Sequence, residues 1–372
     1  MMHHLELLIP PNTVPAHPPR IVESTALTEA LLTTSPPAAT VEDAAAVART
    51  WYGATAGCQP LAGERDRNFR VTRAHGSSLT LKFINTAETV AETEMQIAVL
   101  RHLAGRCAVP VPTHHAPQGL DGADWLMHQP PGAQAPAVRV RAYSFLEGEP
   151  GSTLRAERAA WVALGRAAGE LDAALADFAH PAAGRRFLWN VCEAASMRPL
   201  LEVVEDTRHR DSLADFLDLY ARHTVPALQG LPQQIIHNDL SASNLLTDAG
   251  GVAVAGVLDF GDMVHAPRIA EIAIAASYQM TQSDAPMQVL DCMLTGYASV
   301  LALSQEERML TLDLVLARLA QRMVITAWRA RQFPGNRDYI LRSHAAATRL
   351  FDALIDPWKY GRDRRAPAFA SH

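Results

Sequence analysis

Residues 235–262 read IIHNDLSASNLLTDAGGVAVAGVLDFGD, and the order of apolar and acidic residues in this run decides the fold. The pieces 234–237, 244–247 and 252–260 are strand-like, and the first and last each deliver a carboxylate into a loop, Asp239 and Asp259. A carboxylate at the end of a strand is held by backbone pairing, so two of them are fixed relative to each other far better than on free loops. Asn244 follows Asp239 by five residues, and the triplet Asp259-Phe260-Gly261 closes the run.

These residue types suit phosphoryl transfer. There the protein does little covalent chemistry; it positions a hydroxyl, a phosphate and Mg²⁺ and offsets the charge that develops. Asp239 is the candidate to accept a hydroxyl proton, and Asn244 and Asp259 are candidates to hold Mg²⁺ through hard oxygens. His237 is placed to brace the loop by hydrogen bonds. The spacing D-x-x-x-x-N, followed at strand distance by D-F-G, matches the catalytic-loop and metal-loop arrangement of kinases. Taken singly, Asp, Asn and His near glycine are turn formers that satisfy local backbone groups. Their joint occurrence in this order, between apolar strands and downstream of a strand lysine and a helical glutamate, favours a site.

The strand lysine stands out by composition. Only two of the 33 basic side chains are lysines, Lys82 and Lys359. Lys359 sits in a polar tail segment, whereas Lys82 lies in the alternating run LTLKFI, residues 79–84. In a chain that uses arginine almost everywhere, a retained lysine marks a place where a compact ammonium is wanted in preference to a planar fork. The structural alternative is a half-buried strand lysine that snorkels outward.

Working outward, residues 1–40 carry proline singly and in pairs and read as an extended, poorly ordered arm with at most a short helix. A helix is expected from Val41, with Gly53 as its stop, followed by strands through Phe69–Val71 and Leu79–Ile84, a helix at 88–103, and short strands near 109–114, 125–129 and 138–145. The first lobe ends near residue 147. Beyond Gly148, helical spacing dominates at 153–178, 190–205 and 211–229; after the strand-like pieces, four more helical stretches run to about Ile355. The fold class is therefore α+β: a sheet-based lobe at 41–147, a mainly helical lobe at 148–363, and a tail at 364–372.

With 372 residues, 48% hydrophobic and 19% charged, the chain has a globular balance, and a net charge of −6 argues against nucleic acid or an anionic membrane as the main partner. Cys58, Cys107, Cys192 and Cys292 lie far apart without a Cys-x-x-Cys pair, so neither a zinc knuckle nor a disulfide framework is expected. The start MMHHLELLIPPN breaks its apolar stretch with proline before a signal peptide or membrane span is complete, and the expected location is cytoplasmic. No lysine follows a glycine, which removes a Walker A loop, and no G-x-G-x-x-G, H-E-x-x-H or G-x-S-x-G is present.

On HNDLSASNLL, GVLDFGDMVHAPRIAEIAIA and LAGERDRNFRV, residues 41–355 resemble the aminoglycoside phosphotransferase-like small-molecule kinases, within them most closely the hydroxylysine kinase branch. The resemblance implies a bilobal protein-kinase-like fold with a nucleotide-binding N-lobe. It makes Asp239 the catalytic base, with His237 a brace beside it, Asn244 and Asp259 the Mg²⁺ ligands, and Lys82 the partner of the α- and β-phosphates of ATP or GTP. It implies a glutamate on helix 88–104 that fixes Lys82, with Glu94 preferred over Glu92. The loop Ala62–Phe69, with its backbone amides and Asn68, would cover the phosphates. Residues 141–146, with Tyr143 and Phe145, would form the hinge at the purine edge.

After Asp259-Phe260-Gly261 the chain enters an apolar helix by about Pro267, leaving no room for an activation segment, so a small acceptor is favoured over a protein. A catalytically silent binding protein is disfavoured because every expected polar position is filled. Branch resemblance suggests an amino alcohol, led by 5-hydroxylysine, with aminoglycosides, choline, ethanolamine and homoserine behind. A cationic acceptor would want a carboxylate near Asp239; Asp262 is the candidate, with Glu271 behind it; the structural alternatives are a turn-capping role for Asp262 and, for Glu271, a buried helix-start partner of an arginine. Arg318, Arg322, Trp328, Arg329 and Arg331 are candidates for the outer wall of the acceptor site, where an arginine would suit a substrate carboxylate, or else a solvated helix face.

Overall fold

The structure, a computed structural model, describes residues 30–129 and 136–365. A turn of helix, α1 (Ala30–Thr33), leads into α2 (Val41–Tyr52), which starts on a Thr40–Asp43 capping box and stops at Gly53, φ +61°, as the sequence predicts. Most of the proline-rich arm lies outside the described residues. Its described end is docked, against the expectation of poor order. Leu32 is buried in the helical lobe, and the carbonyls of Thr34 and Ser35 accept from the Asn85 side-chain amide at 3.2 and 3.4 Å.

Strands β1 (Gly57–Leu61), β2 (Arg67–Thr72) and β3 (Ser78–Phe83) form an antiparallel meander. The sheet continues through β6 (Val138–Ser144), which β4 (His114–His115) and β5 (Leu126–His128) also join. Alternation assigns the two faces. Phe69, Val71, Leu79, Leu81 and Phe83 pack on one side with Ala44, Val47 and Tyr52 of α2. The opposite side carries Asn68, Lys82 and Arg141, which stand level because Asn68 pairs with Lys82 and Lys82 with Arg141. Helix α3 (Val90–Leu103), with its own capping box at Thr89 and Glu92, follows β3.

The second lobe opens with β7 (Glu149–Pro150) and α4 (Arg158–Leu175). The expected helix at 190–205 forms as a 3-10 helix, Val191–Val203, with Pro199 inside it, where a missing N–H and the ring weaken an α-helix. Helix α5 (Thr207–Leu219) passes through a π turn, Tyr220–Thr224, into α6 (Val225–Leu228). Then come β8 (Gln233–Ile236), β9 (Leu245–Thr247), β10 (Val254–Val257) and β11 (Val264–Pro267); β8 pairs with β11, and β9 with both β10 and β7. Strand β11 was not foreseen. Helices α7 (Ile269–Gln279), α8 (Pro286–Ala298), α9 (Gln305–Gln332), α10 (Arg337–Leu341) and α11 (His344–Arg365) complete the lobe.

Helices α4 and α8 cross in contact. A Cβ on Gly165 would stand 2.0 Å from the Met293 carbonyl oxygen, and one on Gly296 2.0 Å from that of Val162. One continuous apolar core fills this lobe and reaches α3, which couples it to the sheet lobe. The expected tail lies outside the described residues past Arg365, and among the described residues no helix is long and apolar enough to cross a membrane.

Candidate active site

The loop after β8 begins at Asn238, whose φ of +68° is a left-handed conformation that asparagine tolerates better than most residues. Three bonds clamp it. Its N–H donates to Glu271 Oε2 at 3.1 Å, its side-chain amide donates to the Asp262 carbonyl at 3.0 Å, and its carbonyl accepts from Arg318. Glu271 thus serves a backbone N–H in place of the arginine expected for it; Arg268 pairs instead with Glu307 at 2.8 Å. His237 is fully buried, and the Leu258 carbonyl at 2.9 Å accepts from its Nε2–H, leaving Nδ1 to accept the Asp239 N–H at 3.3 Å. This fixes a neutral tautomer, packed edge-on against Phe260. His237 is a brace and no part of the cavity wall.

Asp239 leaves this clamp half-buried. Its Oδ2 accepts from the Asn244 amide at 2.7 Å and from Ser241 at 3.4 Å, and its Oδ1 accepts from the Tyr278 hydroxyl at 3.1 Å. Burial, and then the charge of Asp262, push its carboxyl above the ordinary range, against the pull of Arg318. The Asn244 amide also donates to the Asp239 carbonyl at 3.0 Å, so its Oδ1 is left for another partner. The Leu258 N–H donates to the Asn244 carbonyl at 2.8 Å, bringing Asn244 against the residue that precedes Asp259.

Asp259, φ +54°, accepts the Gly261 N–H at 3.2 Å and the Lys82 ammonium at 3.3 Å, both on Oδ1. Burial alone would raise its carboxyl, but Lys82 and Arg65 override it and hold the group far below the usual range. Its other oxygen and the Asn244 Oδ1 are two hard donors on adjoining loops. They suit Mg²⁺, which takes one or two protein oxygens and completes its shell with phosphates and water. Among the described residues no cluster of three His, Cys, Asp or Glu side chains suits a metal wholly held by protein.

Lys82 is 2% exposed and bonds Asp66 at 2.8 Å in addition to Asp259. The glutamate expected from α3 is not its partner. Glu94 points to solvent, and Glu92 is taken by its capping box and by Arg185 at 2.6 Å. Arg185 also donates to the Gly261 carbonyl at 2.6 Å and so staples α3 to the loop of Asp259.

The loop 62–68 folds tightly over the cleft. A Cβ on Gly63 would stand 2.7 Å from both the Asn68 amide nitrogen and the Asp66 carbonyl. The Asn68 amide donates to the Ala62 carbonyl at 3.4 Å, while its Oδ1 is buried without a partner among the described residues. Arg65 pairs with Asp262 at 2.5 Å, and Glu64 pairs with Arg329. The carboxylate expected to meet a cationic acceptor is therefore already paired with a cation of the 62–68 loop. Tyr143 stands opposite Thr80 near Lys82, and Phe145 lies under the Arg70 guanidinium at 4.0 Å. The N–H groups of Ser144 and Phe145 donate to the Thr113 and Ser78 carbonyls, so a purine edge would be met beyond them, from Leu146 on.

A cavity of about 530 Å³ opens between the lobes, lined among others by Asn68, Asp239, Asn244, Asp259, Asp262 and Tyr278. Arg318, Arg322 and Arg329 also line it, while Trp328 and Arg331 do not. Sequence reasoning missed Asp66, Tyr278 and Arg185. Only the first left a trace, in the charged run Glu64–Arg67 of the loop already singled out.

Residues 57–303, well over half of the chain, match the model of the phosphotransferase enzyme family. The chain belongs to that family. It is 28% identical over 318 residues to a hydroxylysine kinase of Mus musculus, covering 80% of this chain and 84% of that one, and 27% identical over 328 residues to a hydroxylysine kinase of Danio rerio, covering 85% and 91%. Among solved structures, an amicoumacin kinase in complex with AMP-PNP, Ca²⁺ and Ami superposes with a TM-score of 0.60 at 15% identity, over 81% of this phosphotransferase and 91% of that chain. A microcompartment-associated aminopropanol kinase gives 0.59 at 20% identity, over 84% and 98%. These superpositions agree with the α+β, protein-kinase-like, two-lobed fold. The enzyme is a small-molecule phosphotransferase with a hydroxyl as acceptor.

Proposed function

We propose that this phosphotransferase moves the γ-phosphate of ATP or GTP to the hydroxyl of a small amino-alcohol acceptor, with 5-hydroxylysine the leading candidate. The observation that supports it most is Asp239, its two oxygens oriented by Asn244 and Tyr278 at the wall of a cavity shared with Asp259 and the 62–68 loop. In this reading Asp239 accepts the proton as the acceptor oxygen bonds to phosphorus, and its raised affinity for a proton suits it to that task. Lys82 and Asn68 hold phosphate oxygens, Glu94 takes no part, and Tyr143, Phe145 and the backbone beyond them flank the purine. Asn244 and Asp259 hold Mg²⁺, which when bound offsets charge on the phosphate oxygens. The names of the relatives, hydroxylysine kinases at 27–28% identity, support this acceptor ahead of aminoglycosides, choline, ethanolamine or homoserine.

The test is nucleoside diphosphate release with Mg²⁺, using ATP and GTP separately, against hydroxylysine, ethanolamine, choline, homoserine and kanamycin, with products read by phosphorus NMR. Phosphohydroxylysine is the expected product. Release that no acceptor raises above background would remove the named substrates, and failure to bind nucleotide would remove the nucleotide reading. Replacing Asp259 by Ala abolishes the Mg²⁺-dependent rate.

A further inference from the structure

Two buried cations of the cavity wall are left without an ion pair among the described residues, although one of them, Arg318, also clamps the loop of Asp239. Arg318 and Arg322, one turn apart on α9 and so on one face, are 1% and 3% exposed and line the cavity that holds Asp239. A guanidinium taken out of water is ordinarily matched by a carboxylate, because an unpaired buried charge is costly. Neither has one. Arg318 donates to the Asn238 carbonyl and lies 5.3 Å from the Trp189 ring centre; Arg322 donates to the Ser277 and Ser343 carbonyls at 3.1 and 3.5 Å and lies 4.6 Å from that of Tyr278. The Nε of each is buried without a partner among the described residues. Asp239 and Glu271 feel the charge of Arg318 but do not bond it. The neighbouring wall cations differ, since Arg65 is matched by Asp262 and Arg329 by Glu64.

We infer that the acceptor brings the missing anion: it is an amino acid, bound with its carboxylate against Arg318 and Arg322 and its hydroxyl toward Asp239. This rests on the acceptor reading above and narrows it. Hydroxylysine and homoserine carry a carboxylate; choline, ethanolamine and aminoglycosides do not. Tyr278 ties the two ends together, its ring beside Arg322 and its hydroxyl on Asp239, so the spacing between carboxylate site and base is built into one side chain. The planar guanidinium also explains the residue type, since it meets a carboxylate in two parallel bonds.

The experiment compares 5-hydroxylysine with its carboxamide at fixed nucleotide and Mg²⁺, in the full-length enzyme and in Arg322→Gln and Arg322→Lys. The amide is expected to lose at least about tenfold in kcat/KM, mostly through KM, because it gives up a charge-assisted pair. Arg322→Gln erases that preference and Arg322→Lys restores part of it, with nucleotide KM unchanged. A second measurement, calorimetric titration with L-lysine and L-lysinamide, does not depend on transfer; lysine binds, lysinamide binds at least about tenfold more weakly, and Arg322→Gln removes the difference. An amide used as well as the acid overturns the carboxylate site while the kinase reading stands, as does transfer only to choline, ethanolamine or kanamycin. No transfer to any acceptor, with lysine binding that depends on Arg322, keeps the carboxylate site and removes the acceptor reading; no transfer and no such binding removes both.

Discussion

At the sheet-lobe end of the cleft, Lys82 sits between Asp66 and Asp259 and Arg65 meets Asp262; at the α9 end, among the described residues, Arg318 and Arg322 meet only carbonyls and ring faces. Both ends are charged and largely buried, yet one is balanced within the chain and the other is not. A balanced cluster holds its own shape, and breaking it leaves an uncompensated charge behind. An unbalanced one is held by scaffold contacts and gains most when an anion arrives. The difference predicts that substitutions at the first end damage fold and chemistry together, while those at the second spare the fold and change what binds.

The largest effect is expected at the boundary between the two. Asp239→Asn should lower kcat by about 10²–10⁴ while leaving nucleotide affinity by calorimetry intact; a full rate would mean that another group takes the proton. Next comes a direct contrast in urea unfolding. Lys82→Met leaves two carboxylates facing each other and should lower stability by about 3 kcal/mol, whereas Arg322→Met removes an unpaired buried charge and should leave stability unchanged or raise it. The reverse order would break the comparison. Lys82→Arg keeps the charge but puts a wide fork where a compact ammonium fits between Asp66 and Asp259, so kcat/KM should fall at least about tenfold, and normal kinetics would return Lys82 to a structural role.

The smallest effect is a shift in a pH profile. Asp239 must be ionised to accept a proton, and burial together with Asp262 raises its carboxyl above the ordinary range. Activity is therefore complete above that raised value and falls as pH drops through it, which places the acid limb above the usual carboxylate region. The Tyr278 hydroxyl favours the ionised form, so Tyr278→Phe should move the limb to still higher pH. An unmoved or lowered limb would show that Tyr278 does not tune the base.

The loops that carry Asp239, Asn244 and Asp259 were legible because these residues sit within one run, and the apolar pieces around them form β8, β9 and β10 close to where expected. The partner of Lys82 was not. A glutamate on α3 was expected, but Thr89-Val90-Ala91-Glu92 is a capping-box pattern that already commits Glu92, and Glu94 falls on the solvent side of the helix. Asp66 reaches the lysine from a loop with no periodicity to read. Tyr278, Arg185 and the cavity-facing arginines of α9 come from elements far apart in sequence, and only packing decides which of many similar side chains turn inward. The 3-10 form of Val191–Val203 was not foreseen, although Pro199 weakens an α-helix there, and β11 was missed because its sequence, Val-His-Ala-Pro, ends on a residue that argues against a strand.

The docked end of the arm has a kinematic consequence. Leu32 is anchored in the helical lobe and lines the cavity, while two residues on Thr34 and Ser35 are tied to Asn85, and Pro37 accepts from Arg67 at 3.4 Å in the sheet lobe. The arm thus ties the lobes together at one more place in the chain, and parting them at that edge means withdrawing Leu32 from its core or breaking the bonds to Asn85 and Arg67.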